Sequence, residues 1–193
     1  VKKTPLSDFS NPRKAGIIAV ALDESDYLIG AQLTSGSNDI MLVSDAGKAV
    51  WFDEEDVRPM GRPARGVRGM KLQKDQQVLS LLVAQDDAQT VLVATENGFG
   101  KRTALADFRH SGRGTQGVKA IADSARNGRV VAAKLVGDED EIMLITTGGV
   151  LIRTRVNEIR ELGRATQGVT LISLDDGEKL AGLEKIVETD DEE

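Results

Sequence analysis

The sequence predicts an all-β, propeller-like fold built on a 51-residue repeat. Three observations carry that prediction: an apolar run recurs at a fixed interval, a dipeptide ending in glycine follows each run, and four strand-like segments fall within each period. Four short strands in about 50 residues is the arithmetic of a propeller blade.

The elements follow in order. Ile40 to Val43, Val91 to Ala94 and Ile142 to Ile145 are apolar runs 51 residues apart. Ala46-Gly47, Asn97-Gly98 and Gly148-Gly149 come next, and glycine suits a two-residue hairpin because it tolerates positive φ. A second strand is therefore predicted at Ala49 to Phe52, Gly100 to Thr103 and Leu151 to Thr154. A third falls at Val67 to Leu72, Val118 to Ile121 and Val169 to Ile172, and a fourth at Leu28 to Leu33, Val78 to Val83 and Val130 to Leu135. Complete units are thus expected at 28–78, 79–129 and 130–180, between partial units at 1–27 and 181–187, with a tail at 188–193. Lys2-Lys3-Thr4 aligns with Lys101-Arg102-Thr103 and Phe9 with Phe108, while Lys179 to Ile186 restarts a strand, so the chain reads as a fragment of a repeating domain.

Composition narrows the chemistry. With no Cys there is no disulfide framework, no thiolate metal site and no Cys nucleophile, which fits a reducing cytoplasm. No apolar run approaches the roughly 20 residues of a membrane span, and Val1-Lys2-Lys3-Thr4-Pro5 is not a signal peptide. The net charge of −6 is unevenly spread: residues 184–193 hold six acids against Lys185, which leaves the body at −1. Arg58 to Lys71 contains Arg58, Arg62, Arg65, Arg68 and Lys71 and no acid, whereas Asp53-Glu54-Glu55-Asp56 and Asp138-Glu139-Asp140-Glu141 are acidic blocks. A surface with segregated charge is expected.

Two basic patterns follow the repeat. Gly61 to Val67, Gly112 to Val118 and Gly163 to Val169 share G-R-x-x-x-G-V, which places Arg62, Arg113 and Arg164 between glycines. Such a loop lets backbone approach a phosphate while the guanidinium forks onto it. A single copy reads equally as a plain turn, but three copies that all keep arginine point to an anionic, repetitive ligand. The second pattern lies on the outer hairpin strand, as Lys2-Lys3, Lys101-Arg102 and Arg153 with Arg155. Basic residues also protect edge strands, but their recurrence at one register suggests a charged rim that a bent duplex could follow. Val50-Trp51 interrupts that row, and Trp51 is expected to pack against its neighbour. Lys119, directly after Gly117-Val118, completes the candidate set.

Catalytic readings fail on spacing. Gly98 to Thr103 lacks the first glycine of a phosphate-binding loop, since Thr95 stands there, and Arg102 stands where the hydroxyl belongs. His110 is the only histidine, so neither a zinc site nor a Ser-His-Asp triad can be built around it in the usual way. The acidic blocks lack the order of a calcium loop. No metal or cofactor is expected.

Several segments together resemble the C-terminal domain of the DNA gyrase A subunit. They are Val1-Lys2-Lys3-Thr4, Leu28-Ile29-Gly30 through Leu33-Thr34-Ser35-Gly36, Val57 to Arg62, Gly66-Val67-Arg68-Gly69, Asn97 to Thr103 and Arg153-Thr154-Arg155-Val156. The resemblance covers essentially the whole chain and includes the acidic end. It implies a β-pinwheel, a propeller-like ring whose neighbouring blades exchange strands. It also implies a non-catalytic role in binding and wrapping duplex DNA for an ATP-dependent type IIA topoisomerase. The implied partners are the A-subunit core and the B subunit, in a bacterial, nucleoid-associated, cytoplasmic setting. The implied DNA-binding residues are Lys2, Lys3, Arg58, Arg62, Arg65, Arg68, Lys101, Arg102, Arg113, Lys119, Arg153, Arg155 and Arg164. The tail acids Glu188, Asp190, Asp191, Glu192 and Glu193 are expected to compete for the DNA path. Two departures from the family stand out: no stretch matches its Q-R-R-G-G-K-G box, and Tyr27, the only tyrosine, lacks the preceding arginine of the DNA-cleaving residue. The alternative readings are a protein-binding propeller and the related C-terminal domain of the topoisomerase IV A-type subunit.

Overall fold

The computed structural model describes residues 1–187, and among these the regular elements are eleven strands and four short 3-10 turns. Three hairpins form the frame: β1 (Asp39–Ser44) with β2 (Lys48–Asp53), β4 (Thr90–Thr95) with β5 (Phe99–Ala104), and β8 (Glu141–Thr146) with β9 (Leu151–Arg155). Longer strands β3 (Val78–Ala84), β7 (Val130–Val136) and β11 (Leu180–Lys185) pair antiparallel with the first strand of each hairpin. The two-residue strands β6 (Val118–Lys119) and β10 (Val169–Thr170) pair with β2 and β5. The sheets therefore run β3-β1-β2-β6, β7-β4-β5-β10 and β11-β8-β9.

Each four-stranded sheet takes its hairpin from one repeat and both flanking strands from the next. This is the strand exchange of a pinwheel, and it ties consecutive blades through main-chain hydrogen bonds as well as through side chains. The exchange needs glycine at one position. Gly66, Gly117 and Gly168 have φ of +99°, +74° and +84°, and a Cβ on them would lie 2.4, 2.3 and 2.5 Å from the carbonyl oxygens of Val1, Ala49 and Gly100. Only a residue without a side chain lets the short strand come this close to the hairpin it joins.

The blades stack face to face, so the strands of the first two hairpins are largely buried on both sides, whereas β8 buries one face and β9 is largely exposed. Met41 and Val43 of β1 point into one cluster with Val91, Val93, Leu105 and Phe108, while Ile40 and Leu42 point into another with Val50, Phe52, Val57 and Met70. A third cluster, with Leu92, Ala94, Ile142 and Leu144, lies between the next two sheets. Burial on both faces explains why β1 and β4 read as continuous apolar runs rather than alternating ones.

Two expectations need correction. The third strand of each repeat is shorter than its apolar pattern: only Val118–Lys119 and Val169–Thr170 form strands, and residues 67–72 contribute a reciprocal main-chain pair, Val67 with Val1, and a bridge from Met70 to Thr115. Leu28 to Leu33 is not a strand. Its counterparts β3 and β7 pair with the first strand of a hairpin, whereas no strand among the described residues pairs with residues 28–33. Without that partner Leu28, Ile29 and Leu33 stay exposed.

Candidate functional site

Each hairpin ends in a 3-10 turn, at Glu54–Asp56, Leu105–Asp107 and Val156–Glu158. Val57, Phe108 and Ile159 follow as buried anchors, and the next residue is an arginine each time: Arg58, Arg109 and Arg160. All three arginines are exposed, and none has a hydrogen-bond or ion-pair partner among the described residues. Immediately after them, Pro59, His110 and Glu161 bridge to Lys3, Trp51 and Arg102 of the preceding hairpin strand. The three guanidinium groups therefore mark equivalent points at successive seams between blades.

The G-R-x-x-x-G-V loops meet the same seams. Arg113 donates from Nε to Asp56 O (2.8 Å) and from Nη1 to Arg68 O (3.2 Å). Arg164 donates from Nε to Asp107 O (3.0 Å) and from Nη1 to Lys119 O (3.1 Å). Every partner is displaced by the 51-residue period, so the two arginines are held alike. In both, Nη2 has no partner among the described residues. Arg68 and Lys119 are exposed, and their side chains are likewise unpaired among the described residues. Two matched sets of cations thus recur one period apart, Arg58, Arg68 and Arg113 and then Arg109, Lys119 and Arg164, each linked by the loop arginine's bonds to the main chain near the other two. The first seam is different, because Arg62 makes a single bond, from Nη1 to Ile18 O at 2.8 Å, and Ser10 stands near where the exposed arginine would be.

The hairpin row does not form the exposed rim expected of it. Lys101 is fully buried, with Nζ donating to Gly163 O and Arg164 O, both at 2.5 Å. Arg102 is 8% exposed, with Nε on Ile159 O at 2.7 Å and Nη1 paired to Asp138. β5 lies inside a sheet stacked between two others, so its consecutive side chains point into opposite interblade spaces, and their long stems fill those spaces. Lys2, at the equivalent place, is half-buried and donates to Arg62 O and Ala19 O. Lys3 is half-buried too, donating to Glu54 O at 2.9 Å. At the other end of the chain Arg153 pairs with Glu141, and the exposed Arg155 lies 3.7 Å from the same carboxylate. Arg65 is exposed and paired to Asp23.

Two buried groups are shifted from their ordinary ionisation. Burial, followed by the nearby charge of Arg164, lowers the Lys101 ammonium to about 8, against a smaller opposing pull from Asp107. Burial pushes the Glu54 carboxyl up, but hydrogen bonds from Asn38 N, Thr34 Oγ1 and Gly36 N together with Lys3 outweigh it and hold the group below its ordinary value. Trp51 packs as expected, edge-on to His110 with ring centroids 5.3 Å apart, and His110 Nε2 lies 2.9 Å from Asp39 Oδ1. No group of three metal-ligating residues occurs among the described residues. The tail acids Glu188, Asp190, Asp191, Glu192 and Glu193 lie outside the described residues.

Arg109 and Arg160 were absent from the sequence-derived set. Their signal was available, since both keep the 51-residue offset from Arg58, but it lies outside the glycine-rich motif.

Comparisons with known proteins bear on the family and the fold. A family model described as "DNA gyrase C-terminal domain, beta-propeller" matches residues 1–35, 38–85, 89–136 and 140–186. The DNA gyrase A subunit of Pseudomonas aeruginosa is 54% identical over 188 residues, covering 97% of this chain and 20% of that protein. Its Escherichia coli K12 counterpart is 48% identical over 193 residues, covering 100% of this chain and 22% of that protein. The chain thus spans about a fifth of the length of these relatives. Among solved structures, the C-terminal domain of DNA topoisomerase IV superposes with a TM-score of 0.91 at 27% identity, over 96% of this chain and 58% of that one. A DNA gyrase A C-terminal domain superposes with a TM-score of 0.82 at 28% identity, over 90% and 59%.

Proposed function

The chain belongs to the family of DNA gyrase C-terminal domains, and on that basis we propose that it binds duplex DNA non-catalytically along its blade seams and bends it around the stack. The observation that carries this reading is the row Arg58, Arg109 and Arg160, exposed and unpaired among the described residues at one register of three successive repeats. An unpaired guanidinium breaks no protein contact when it turns onto a phosphate, and cations repeated at each blade suit a polymer with repeating charge. Arg68, Lys119 and the free Nη2 groups of Arg113 and Arg164 extend each contact. Arg62, Arg65, Arg153 and Arg155 are secondary candidates, because each already has a protein partner.

Contacts of this kind meet phosphates and not base edges, so binding tolerates sequence and weakens steeply with salt. In the intact enzyme the bent DNA would be delivered to the A-subunit core and the B subunit, inside the bacterial cytoplasm. The acids Glu188, Asp190, Asp191, Glu192 and Glu193 would compete with DNA for the basic seams at low salt.

The test is a closed circular plasmid relaxed by a separate topoisomerase in the presence of the purified chain, then deproteinised. A bent, chirally wrapped path leaves a concentration-dependent change in linking number that disappears at high salt. Anisotropy measurements on a short duplex complete the test. Binding without a linking-number change would remove the wrapping, and no salt-dependent binding would turn the reading toward a protein-docking propeller.

A further inference from the structure

We propose that Lys101 and Lys2 are positioning residues that fix the Gly-Arg loops at their seams, and that they hold the loop arginines ready for phosphate without touching it themselves. The inference rests on the DNA-binding reading above. It begins with a burial that phosphate contact does not explain. Lys101 has no ion-pair partner among the described residues, and its ammonium is instead directed at two main-chain carbonyls of the loop in the next repeat, Gly163 O and Arg164 O. Gly163 O also accepts from Thr166 N at 3.2 Å and Thr166 Oγ1 at 2.9 Å, so the donors that close the turn and the lysine that anchors it meet on one oxygen. Arg164 then leaves the loop with Nε and Nη1 committed to Asp107 O and Lys119 O.

The repeats supply an internal comparison. At the first seam Lys2 donates to Arg62 O, and Ala64 N closes the same turn onto Gly61 O at 3.1 Å. At the middle seam the position of the lysine is taken by buried Val50. The loop there is built differently, with Gly112 and Gly114 at φ of +70° and +80°, and Gly114 N donating to Gly69 O at 2.6 Å. A lysine therefore accompanies the two loops whose third residue is Pro63 or Ala165, and is missing where Gly114 N ties the loop to Gly69 O of the preceding repeat. A row selected for phosphate contact would not follow the backbone of the neighbouring loop in this way.

The test compares Lys101→Met, Arg164→Ala and the double variant with wild type, by anisotropy of a short duplex across a salt series. Methionine refills the space without the charge. One lost phosphate contact makes the log-log slope about 0.9 less negative and weakens binding about eightfold near 0.1 M salt. The proposal expects each single variant to lose one such step and the double to lose no more, because both remove the same contact. Additive loss, with the double less negative by about 1.8, would make Lys101 a phosphate ligand itself and overturn the proposal. A lowered melting temperature with an unchanged slope would leave Lys101 purely structural and overturn it as well. If Lys101→Met does not fold, Lys2→Met with Arg62→Ala gives the same cycle at the first seam. Hydrogen exchange separates this proposal from the DNA reading. Faster exchange of the Thr166 amide in Lys101→Met supports the anchoring even if wild type fails to bind DNA, and unchanged exchange rejects it.

Discussion

Replacing Gly117 by alanine should loosen one blade seam far more than the same change at Gly149. Both residues have positive φ, +74° and +85°, and alanine there costs about 1–2 kcal/mol in strain at either site. Their surroundings differ. A Cβ at Gly149 meets nothing within 4 Å, whereas one at Gly117 would sit 2.3 Å from Ala49 O, so the short strand must retreat by roughly 1 Å to reach ordinary contact. That retreat disrupts the pairing of Ala49 with Val118 and Lys48 with Lys119, two ladder contacts worth about 1 kcal/mol each. Gly117→Ala should therefore destabilise by about 3–4 kcal/mol and Gly149→Ala by about 1–2 kcal/mol. Urea denaturation of the two variants beside wild type measures the difference, and hydrogen exchange at Ala120, whose amide donates to Gly47 O at 2.8 Å, reports the seam itself. Equal losses at the two sites would refute the close-approach explanation and leave only backbone strain.

Other outcomes follow from the buried charges. Glu54→Gln puts an amide where three donors converge, so at least one of Gly36 N, Asn38 N and Thr34 Oγ1 loses its acceptor, at a cost of about 1–3 kcal/mol at neutral pH by denaturant titration. Because the folded state holds Glu54 below its unfolded value, its contribution is complete above the ordinary carboxylate range and is lost as pH falls through the folded value. The variant should show a flatter acid limb than wild type, and parallel limbs would contradict this. For Lys101 the pH slope has the same sign, although there burial disfavours the charged form where at Glu54 hydrogen bonds favour it. Its folded value of about 8 lies below the ordinary lysine value of 10.5, so the unfolded state binds more protons between them and stability rises with pH across that window. Lys101→Met should remove the rise, and its persistence would place the buried proton elsewhere.

The sequence made some parts of this structure easy to read and concealed others. The hairpins were legible because Ile40 to Val43 and its two copies are apolar on both faces and each run ends in a turn dipeptide. Which sheet a strand joins was not legible. Identical spacing in every repeat looks the same whether Val118 pairs within its own unit or with Ala49 of the preceding one, and only the Cβ-free approach of Gly117 distinguishes them. Leu28 to Leu33 has the apolar pattern of its counterparts, but a strand is completed by its partner. At the candidate site, register put Arg113 and Arg164 in equivalent loops, as their matched bonds show. Register could not separate a cation at the surface from one between blades, because Lys101 carries the same charge in either place while its stem packs as an apolar chain.

Whether the seam arginines carry the DNA is decided by one salt series. Duplex affinity is measured for wild type, for Arg58→Ala/Arg109→Ala/Arg160→Ala combined, and for Lys179→Ala. Lys179 serves as the control because it lies at the hairpin-turn end with Nζ on Asn97 Oδ1 at 2.8 Å. The triple variant should bind all sequences more weakly, with a log-log slope less negative than wild type by about 2.7, while the Lys179 variant keeps the wild-type slope. A triple variant with the wild-type slope would place the DNA path away from the seams and overturn the reading.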